Sequence, residues 1–252
     1  MLKYLAIPAA LIFSFALQAN SNVETWDFTR ATQVNVGSGS SLTLTSTLGN
    51  AATMTAWSSS STGEATQSSF YLNGWGTNVN GHGVDNFAGS QFILLEFAQP
   101  VELTSLVTSW RENSLNGNNW ARFTVAGFDN NNAFTDSGTK QWLDIATEAA
   151  VKTAYWNGAW NNGTTNFADA SYLPASNTHL AQGIAKTTWL IGAYNASFNP
   201  TPSETSGWDK LKFSSLTTSF NSAVTDVPAP ATLALFGLGL LLLMRRRQSF
   251  VG

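Results

Sequence analysis

Apolar and polar residues alternate in many short runs along this chain, which is the pattern of half-buried β-strands. In Ser41–Thr47, for example, Leu42 and Leu44 alternate with hydroxyl-bearing residues. Among these runs, a short helix is predicted at Ile145–Tyr155, where Ala and Glu cluster without Gly or Pro. The predicted strands are Thr25–Thr29, Ser41–Thr47, Ala52–Ser58, Ser69–Leu72, Gln91–Phe97, Val101–Trp110, Ala121–Phe128, Lys140–Ile145, Lys186–Tyr194 and Lys210–Phe220.

Two of the connections between these strands contain typical turn residues. Leu48-Gly49-Asn50 predicts a hairpin, and Ala98-Gln99-Pro100 predicts a compact turn. About ten strands joined by turns of this kind favour an all-β fold, an antiparallel β-sandwich that is jelly-roll-like. A closed barrel is the alternative, and periodicity does not distinguish the two folds.

The first residues have the order of an export signal. Met1–Ala19 contains one basic residue, Lys3, followed by an apolar stretch from Tyr4 to Leu17 and a small residue at Ala19. This order is typical of a secretory signal peptide. We therefore expect export across the inner membrane by the Sec machinery. Residues 20–226 would then form the β-sandwich surface domain.

The last residues, 227–252, form a second targeting element. Pro228 and Pro230 separate this element from the preceding strand, because proline cannot continue a helix or a central strand. Residues 231–244 are uncharged and rich in Leu, which predicts a transmembrane helix of about 21 Å against about 30 Å of bilayer hydrocarbon. The basic end, residues 245–247, would stay in the cytoplasm. A temporary anchor fits so short a helix, and an ordinary C-terminal anchor is the alternative.

This order of segments resembles the PEP-CTERM sorting signal, the bacterial C-terminal signal that an exosortase recognises. The family's usual Pro-Glu-Pro is Pro-Ala-Pro here, so the middle recognition group is apolar. The resemblance implies an exosortase as partner, transient membrane insertion through the C-terminal helix, and a final location at the cell surface or outside the cell. The residues that carry it are Val227, Pro228, Ala229, Pro230, Arg245, Arg246 and Arg247.

Composition narrows the function of the predicted domain. Eight of the 12 basic residues and all 15 acidic residues lie between residues 20 and 226, which gives this domain a formal charge of −7. An acidic domain with scattered lysines lacks the clustered basic surface that binds nucleic acid. The chain contains no cysteine, so we expect neither a disulfide framework nor a thiolate metal site.

A second resemblance lies inside the domain, over most of Gly81–Leu216. The blocks that carry it are His82-Gly83-Val84-Asp85-Asn86, Gln91–Phe97, Pro100-Val101-Glu102-Leu103, Trp189–Tyr194 and Trp208–Phe213. Their order resembles the core of a family of exosortase-dependent surface proteins. The resemblance implies a surface location and a β-rich domain, and it implies no particular activity.

The sequence contains few of the residue patterns that are typical of catalytic sites. The histidines, His82 and His179, are far apart, and neither lies in an HExxH-type pattern. Glu96 and Glu102 flank the predicted turn and could pair for glycoside hydrolysis, although two solvated strand positions are the simpler interpretation. We therefore expect no enzymatic activity, and a secreted glycan hydrolase is the less favoured alternative.

Hard oxygen ligands indicate a structural calcium site as a candidate. Asp85 and Asn86 lie in a predicted loop, and Asp209 would join them if the last strand returns beside that loop. Calcium prefers six to eight such oxygens. The alternative is an Asx turn, in which the two loop side chains bind nearby backbone amides. Beyond this structural ion, no cofactor is expected.

Tryptophans beside Asn and Gly are the candidate glycan-binding residues. Trp75, Trp156 and Trp160 lie in such segments, where an indole face can stack on a sugar ring while amides bind its hydroxyls. Burial in the core is the alternative for each of them. The sequence therefore predicts an exported, exosortase-processed protein with a structural role in exopolysaccharide or biofilm. A carbohydrate-binding adhesin is the alternative.

Overall fold

The computed structural model describes residues 21–59, 63–80, 83–87, 89–113, 117–118, 121–135, 138–157, 163–169, 181, 183–198 and 208–221. The helices in these ranges are α1 (Trp142–Glu148) and a 3₁₀ turn at Asn132–Phe134. Neither is long and apolar enough to cross a membrane. The strands are β1 (Ser21–Asp27), β2 (Val34–Val36), β3 (Leu42–Thr45), β4 (Ala51–Ser59), β5 (Ala65–Ser68), β6 (Phe70–Asn73), β7 (Gly76–Val79), β8 (Val84–Asp85), β9 (Gln91–Asn113), β10 (Gly117–Asn118), β11 (Ala121–Phe128), β12 (Val151–Asn157), β13 (Thr164–Asn166), β14 (Lys186–Ala193) and β15 (Asp209–Asn221).

Strand β9 organises the fold because it belongs to two layers. Its first part, Gln91–Phe97, pairs antiparallel with β4 on one side and with β14 on the other. The first layer continues from β14 through β11 to β12. The second part of β9 pairs antiparallel with β15, which in turn neighbours β1 and forms the second layer. A separate antiparallel sheet has the order β2-β6-β7.

Alternate side chains of β9 fill two different hydrophobic cores. Ile93 and Leu95 belong to the larger core, together with second-layer side chains such as Phe213. Phe92 and Leu94 belong to the smaller core on the opposite face of the first layer. Because side chains of a strand alternate between its two faces, this division follows directly from the continuous apolar run in β9.

Helix α1 and the segments around it cover the smaller core. The Trp142 ring lies 4.5 Å from the Phe92 ring, centroid to centroid, and Trp142 Nε1 donates a 2.9 Å hydrogen bond to Ser59 Oγ. Ile145 of the same helix is buried in this cluster. The first layer is thus covered on both faces, which explains why all 8 residues of β11 are buried.

The structure confirms the all-β prediction in its coarse form, because the described residues form antiparallel β-sheets with one α-helix. The hairpin predicted at residues 48–50 is present, with Leu44 opposite Ala52 and a left-handed Gly49 at φ 85°. Strand β11 occupies the predicted range Ala121–Phe128. The jelly-roll connectivity stays a prediction.

The turn predicted at Ala98-Gln99-Pro100 is wrong, because β9 continues through it as one strand of 23 residues. The register with β14 shifts here: Thr188 pairs with Glu96, and Lys186 pairs with Val101. Residues 97–100 of β9 are therefore where the strand leaves the first layer for the second. Proline lacks a backbone donor, and an interruption in the pairing is where a strand tolerates it.

The predictions for residues 140–155 are also wrong in part. The predicted strand Lys140–Ile145 is mostly helical. The predicted helix Ile145–Tyr155 overlaps α1 only over residues 145–148, and residues 151–155 belong to strand β12. A capping box starts α1, since Asp144 Oδ2 accepts a 3.0 Å hydrogen bond from the backbone N–H of Gln141. The β-branched and aromatic residues from 151 onward favour the strand.

The targeting segments lie outside the described residues. These are the predicted signal peptide (residues 1–19), the predicted transmembrane helix (231–244), and the sorting residues 227–230 and 245–247. Residues 21–220 form one unit of their own.

Tyr155, which is buried in the larger core, should make the free energy of unfolding depend on pH. Burial raises the pKa of Tyr155 to about 12, although the Ala181 backbone N–H, which donates to its hydroxyl over 2.7 Å, acts in the opposite direction. Because the folded pKa lies above the unfolded value near 10, the unfolded chain loses its proton first as pH rises. We expect stability to fall by on the order of 2–3 kcal/mol between about pH 10 and pH 12. Urea unfolding across this range measures the effect.

The matched control for this prediction is Tyr155→Phe, which removes the titrating hydroxyl. Its free energy of unfolding should lack the component that falls between about pH 10 and pH 12. An identical pH profile for the two proteins would assign the alkaline loss of stability to other groups.

Candidate functional site

The three residues predicted to bind calcium lie together at the start of β15. Strand β8 pairs antiparallel with β15, which places Asp85 opposite Lys210. The Asn86 N–H donates to Asp209 O over 3.2 Å, and the Asp209 N–H donates to Asn86 Oδ1 over 2.6 Å. Asn86 Nδ2 also donates to Tyr194 O over 2.7 Å. Asn86 therefore joins three segments that are distant in sequence.

Asp209 is fully buried and forms an ion pair with Arg122 of β11. Arg122 Nη2 lies 2.9 Å and Nε lies 3.0 Å from Asp209 Oδ2. Asp209 Oδ1 accepts hydrogen bonds from the Arg122 backbone N–H at 2.8 Å and from Asn113 Nδ2 at 2.7 Å. The Arg122 guanidinium also lies over the Tyr194 ring, 4.6 Å from its centroid. We call Asp209, Arg122 and Asn113 the buried ion-pair cluster.

These contacts bear on the calcium interpretation, which stays a prediction. Both carboxylate oxygens of Asp209 already accept hydrogen bonds, and the adjacent guanidinium of Arg122 would repel a cation. Asp85 Oδ1 accepts a 3.2 Å hydrogen bond from the Phe87 N–H, the contact of an Asx turn. Within the described ranges, no group of three or more His, Cys, Asp or Glu residues could hold a metal ion.

A pocket of about 560 Å³ lies beside this cluster, between β8, β4 and the start of β15. Its aromatic side is formed by Phe87 and Trp208, whose ring centroids are 6.0 Å apart with an interplanar angle of 83°. Phe87 is 73% exposed although it is a large apolar residue. The polar side chains that line the pocket are Ser58, Ser59, Asn80, Asp85, Gln91 and Lys210.

Hydrogen bonds hold the polar side of this pocket in place. Ser58 Oγ donates to Ser68 Oγ over 3.1 Å, and Ser68 Oγ donates to Asn80 Oδ1 over 2.7 Å. Gln91 Oε1 accepts a 3.1 Å hydrogen bond from the Asp85 N–H. The amides of Asn80 and Gln91 therefore bind protein through their oxygens, which orients their Nδ2 and Nε2 donor groups.

The loop after β8 closes the pocket through contacts with β4. Ser59 N donates to Ser90 O, and Ser90 N donates to Ser59 Oγ, each over 3.0 Å. Gly89 has φ +129°, and a Cβ built there would lie 2.9 Å from Ser59 Cβ. Glycine is therefore required for this close approach of the loop to the strand.

Lys210 and its neighbours set the charge at the mouth of the pocket. Lys210 lies opposite Asp85 on β8 and opposite Glu112 on β9, so a carboxylate residue flanks it on each side. Its Nζ lies 5.4 Å from the centroid of the Trp110 ring. Burial, followed by the charge of Lys210, lowers the pKa of Lys212 further along the same strand.

The three tryptophans predicted to bind glycans have different positions. Trp75 is 66% exposed at the turn between β6 and β7. Its N–H donates to Asn73 Oδ1 over 2.9 Å, and its carbonyl accepts a hydrogen bond from Ser109 Oγ. Trp156 lies on β12. Trp160 lies outside the described residues.

Sequence reasoning did not select the aromatic residues that line the pocket. Trp208 precedes Asp209, and Phe87 follows Asp85 and Asn86, so both aromatic residues adjoin positions chosen for their oxygen atoms. An aromatic residue directly beside a polar loop cluster was therefore the available signal. Only the pairing of β8 with β15 brings the two rings together.

The candidate catalytic residues do not meet in the described part of the chain. His82 and His179 lie outside it. Glu96 lies in the first layer, where its Oε1 accepts a 2.5 Å hydrogen bond from Asn131 Nδ2. Glu102 lies opposite Ser219 in the second layer. The expectation of no enzymatic activity stays a prediction.

Comparison with known proteins identifies one segment of the chain. Residues 226–248 match the model of the PEP-CTERM protein-sorting motif. This match confirms the resemblance predicted for the tail, and the motif indicates an exosortase-dependent protein that is exported to the surface or the extracellular space. No curated protein and no solved structure matches the chain.

Proposed function

We propose that this protein is processed by an exosortase and has a structural role in exopolysaccharide or biofilm. The observation that carries the proposal is the sorting motif at residues 226–248, which follows a domain built around two hydrophobic cores. The motif gives the destination, and the packed antiparallel sheets give a durable module without disulfides. A non-enzymatic role is part of the same proposal.

The route to the surface follows from the chemistry of the two ends. The Sec machinery exports the chain, and residues 231–244 hold it in the inner membrane while residues 245–247 stay in the cytoplasm. The exosortase then cuts near Pro228–Pro230 and releases the domain to the cell surface or to an extracellular polymer. Ala229 replaces the usual Glu at the centre of this segment, so cleavage depends on the flanking prolines and the arginine end.

Mass spectrometry of the protein from the exopolysaccharide fraction tests this proposal. We expect the C-terminal peptide of that material to end near residues 227–230. In a strain without the exosortase, the peptide should extend through residues 233–247 and the protein should stay with the membrane fraction. An intact 233–247 segment in the surface material of the normal strain would contradict processing. Absence of the protein from the polysaccharide fraction would contradict the matrix role.

A carbohydrate-binding adhesin is the second candidate function. One observation favours it: Trp75 is 66% exposed at a turn, where its indole face is accessible to a sugar ring. Trp156 and Trp160 are its other proposed contacts. Substitution of Trp75 would separate glycan binding at this residue from glycan binding elsewhere on the domain.

A further inference from the structure

We propose that the pocket formed by Phe87, Trp208 and their polar neighbours binds a pyranose unit of a neutral polysaccharide. The inference deepens the proposed matrix role and rests on it for the identity of the ligand. It assigns the binding to different residues from the three tryptophans selected by sequence. A volume of about 560 Å³ falls within the range of roughly 300–1,000 Å³ that small-molecule sites occupy.

The aromatic side of the pocket supplies an apolar face for the sugar ring. Phe87 is 73% exposed, so its ring is available without rearrangement of the core. Trp208 stands nearly perpendicular to it, at 83°, with the centroids 6.0 Å apart. The two rings therefore form a corner, which offers one face for stacking and a second wall that limits the sugar's position.

The polar side of the pocket supplies hydrogen-bonding groups for hydroxyls. Asn80 and Gln91 use their amide oxygens for Ser68 and for the Asp85 N–H, so their amide nitrogens are the groups available to a ligand. Asp85 adds a carboxylate to the lining, and Lys210 adds an ammonium group. Aromatic walls with a few placed polar groups are the composition expected of a small-molecule site.

The charge of this region favours a neutral glycan. Among the described residues, the pocket lining contains one carboxylate, Asp85, and one ammonium group, Lys210. Glu112 lies opposite Lys210 on its other side, which offsets the positive charge further. The domain as a whole carries a formal charge of −7 over residues 20–226, so its field opposes the approach of a polyanion.

Hydrogen bonds to buried groups anchor the residues next to both aromatic rings. Asn86, next to Phe87, is tied to Asp209 and Tyr194, and Asp209 next to Trp208 belongs to the buried ion-pair cluster. Phe87 is therefore preceded by the anchored Asn86, and Trp208 is followed by the anchored Asp209. Binding to an ordered site avoids the entropy cost of ordering its side chains and loops.

Calorimetric titration of the full chain, purified in detergent, tests the inference. The probes are cellohexaose, maltohexaose and chitohexaose as neutral glycans, and alginate oligomers as the anionic glycan. We expect at least one neutral hexasaccharide to bind saturably and alginate oligomers to bind more weakly. Phe87→Ala and Trp208→Ala should each weaken the neutral binding by at least about tenfold, the effect typical of an aromatic anchor.

Two substitutions serve as controls. Lys186→Ala breaks an ion pair with the exposed Asp129, away from the pocket lining, and should leave binding unchanged. Trp75→Ala should also leave it unchanged, because Trp75 does not belong to the pocket lining. Because Phe87 is exposed, its truncation should preserve the fold, and an unchanged unfolding curve for Phe87→Ala verifies this.

The outcomes separate the inference from the proposed function. Lack of binding to all three neutral hexasaccharides would overturn the inference, as would stronger binding of alginate. Binding that is lost in Trp75→Ala but kept in Phe87→Ala and Trp208→Ala would overturn it in favour of the adhesin surface. The mass-spectrometric test of processing is independent of these results, so failure of one does not imply failure of the other.

Discussion

Substitution of Asp209 by alanine is expected to lower the free energy of unfolding by about 3–5 kcal/mol. The carboxylate is fully buried and the Arg122 side chain is only 2% exposed. Removal of the carboxylate would take the Asp209 ion-pair contact away from a guanidinium that stays buried. Breaking one side of a buried, hydrogen-bonded ion pair costs more than the pair itself contributes, because the remaining charge stays desolvated.

Hydrogen bonds add to this cost because Asp209 binds three donor groups besides the Arg122 Nη2. Asn113 Nδ2 and the Arg122 backbone N–H both donate to Oδ1, and Arg122 Nε donates to Oδ2. In the alanine variant these buried donors lose their acceptor. Each buried donor left without a partner costs about 1–3 kcal/mol, although the contributions are not additive.

Urea unfolding of the full chain, followed by tryptophan fluorescence, measures the effect of Asp209→Ala. The matched control is Lys186→Ala, which breaks an ion pair whose carboxylate partner, Asp129, is 74% exposed. That change should cost no more than about 1 kcal/mol. A loss below about 1 kcal/mol for Asp209→Ala would mean that the buried ion-pair cluster contributes little to stability.

Gly76→Ala is expected to destabilise the fold by about 2–5 kcal/mol, from two causes. Gly76 has φ +98°, a conformation that costs an L-residue about 1–2 kcal/mol. A Cβ at this position would also lie 2.1 Å from Phe213 O, so β7 or β15 would have to move. Such overpacking typically costs about 1–3 kcal/mol.

Gly39→Ala separates the two causes. Gly39 has φ +79°, but a Cβ built there meets nothing within 4 Å. We expect only the conformational cost of about 1–2 kcal/mol for this variant. Equal losses of stability in Gly39→Ala and Gly76→Ala, measured by thermal or urea unfolding, would show that β7 does not pack tightly against β15.

Local sequence patterns predicted the position of a strand correctly wherever that strand is determined by its own residues and adjoining turns. Strand β11 and the hairpin at Gly49 are examples, since apolar alternation and a glycine between two strand-like runs are visible in the sequence itself. The same local signals were misleading at Pro100. A proline between two apolar runs fits a turn as well as a change of layer, and only the pairing with β4, β14 and β15 distinguishes them.

The candidate site was harder to predict from the sequence than the strands, because it is formed by contacts between residues that are distant in the chain. Asp209 was expected beside Asn86, and the two are hydrogen-bonded across 123 positions. The role of Asp209 was not predictable, because its partner Arg122 reaches it from β11, on a different layer. Likewise, Phe87 and Trp208 form a corner only after β8 has paired with β15.

The position of β1 beside β15 has a consequence for the timing of folding. Trp26 Nε1 donates a 3.0 Å hydrogen bond to Thr218 Oγ1, across 192 positions of the sequence. At about 5–20 residues per second, synthesis separates these two residues by roughly 10–40 s. Through that interval the first strand lacks its neighbour β15, and the second layer is incomplete. The second layer, and the larger core that it covers, can therefore be completed only after nearly the whole domain has been synthesised.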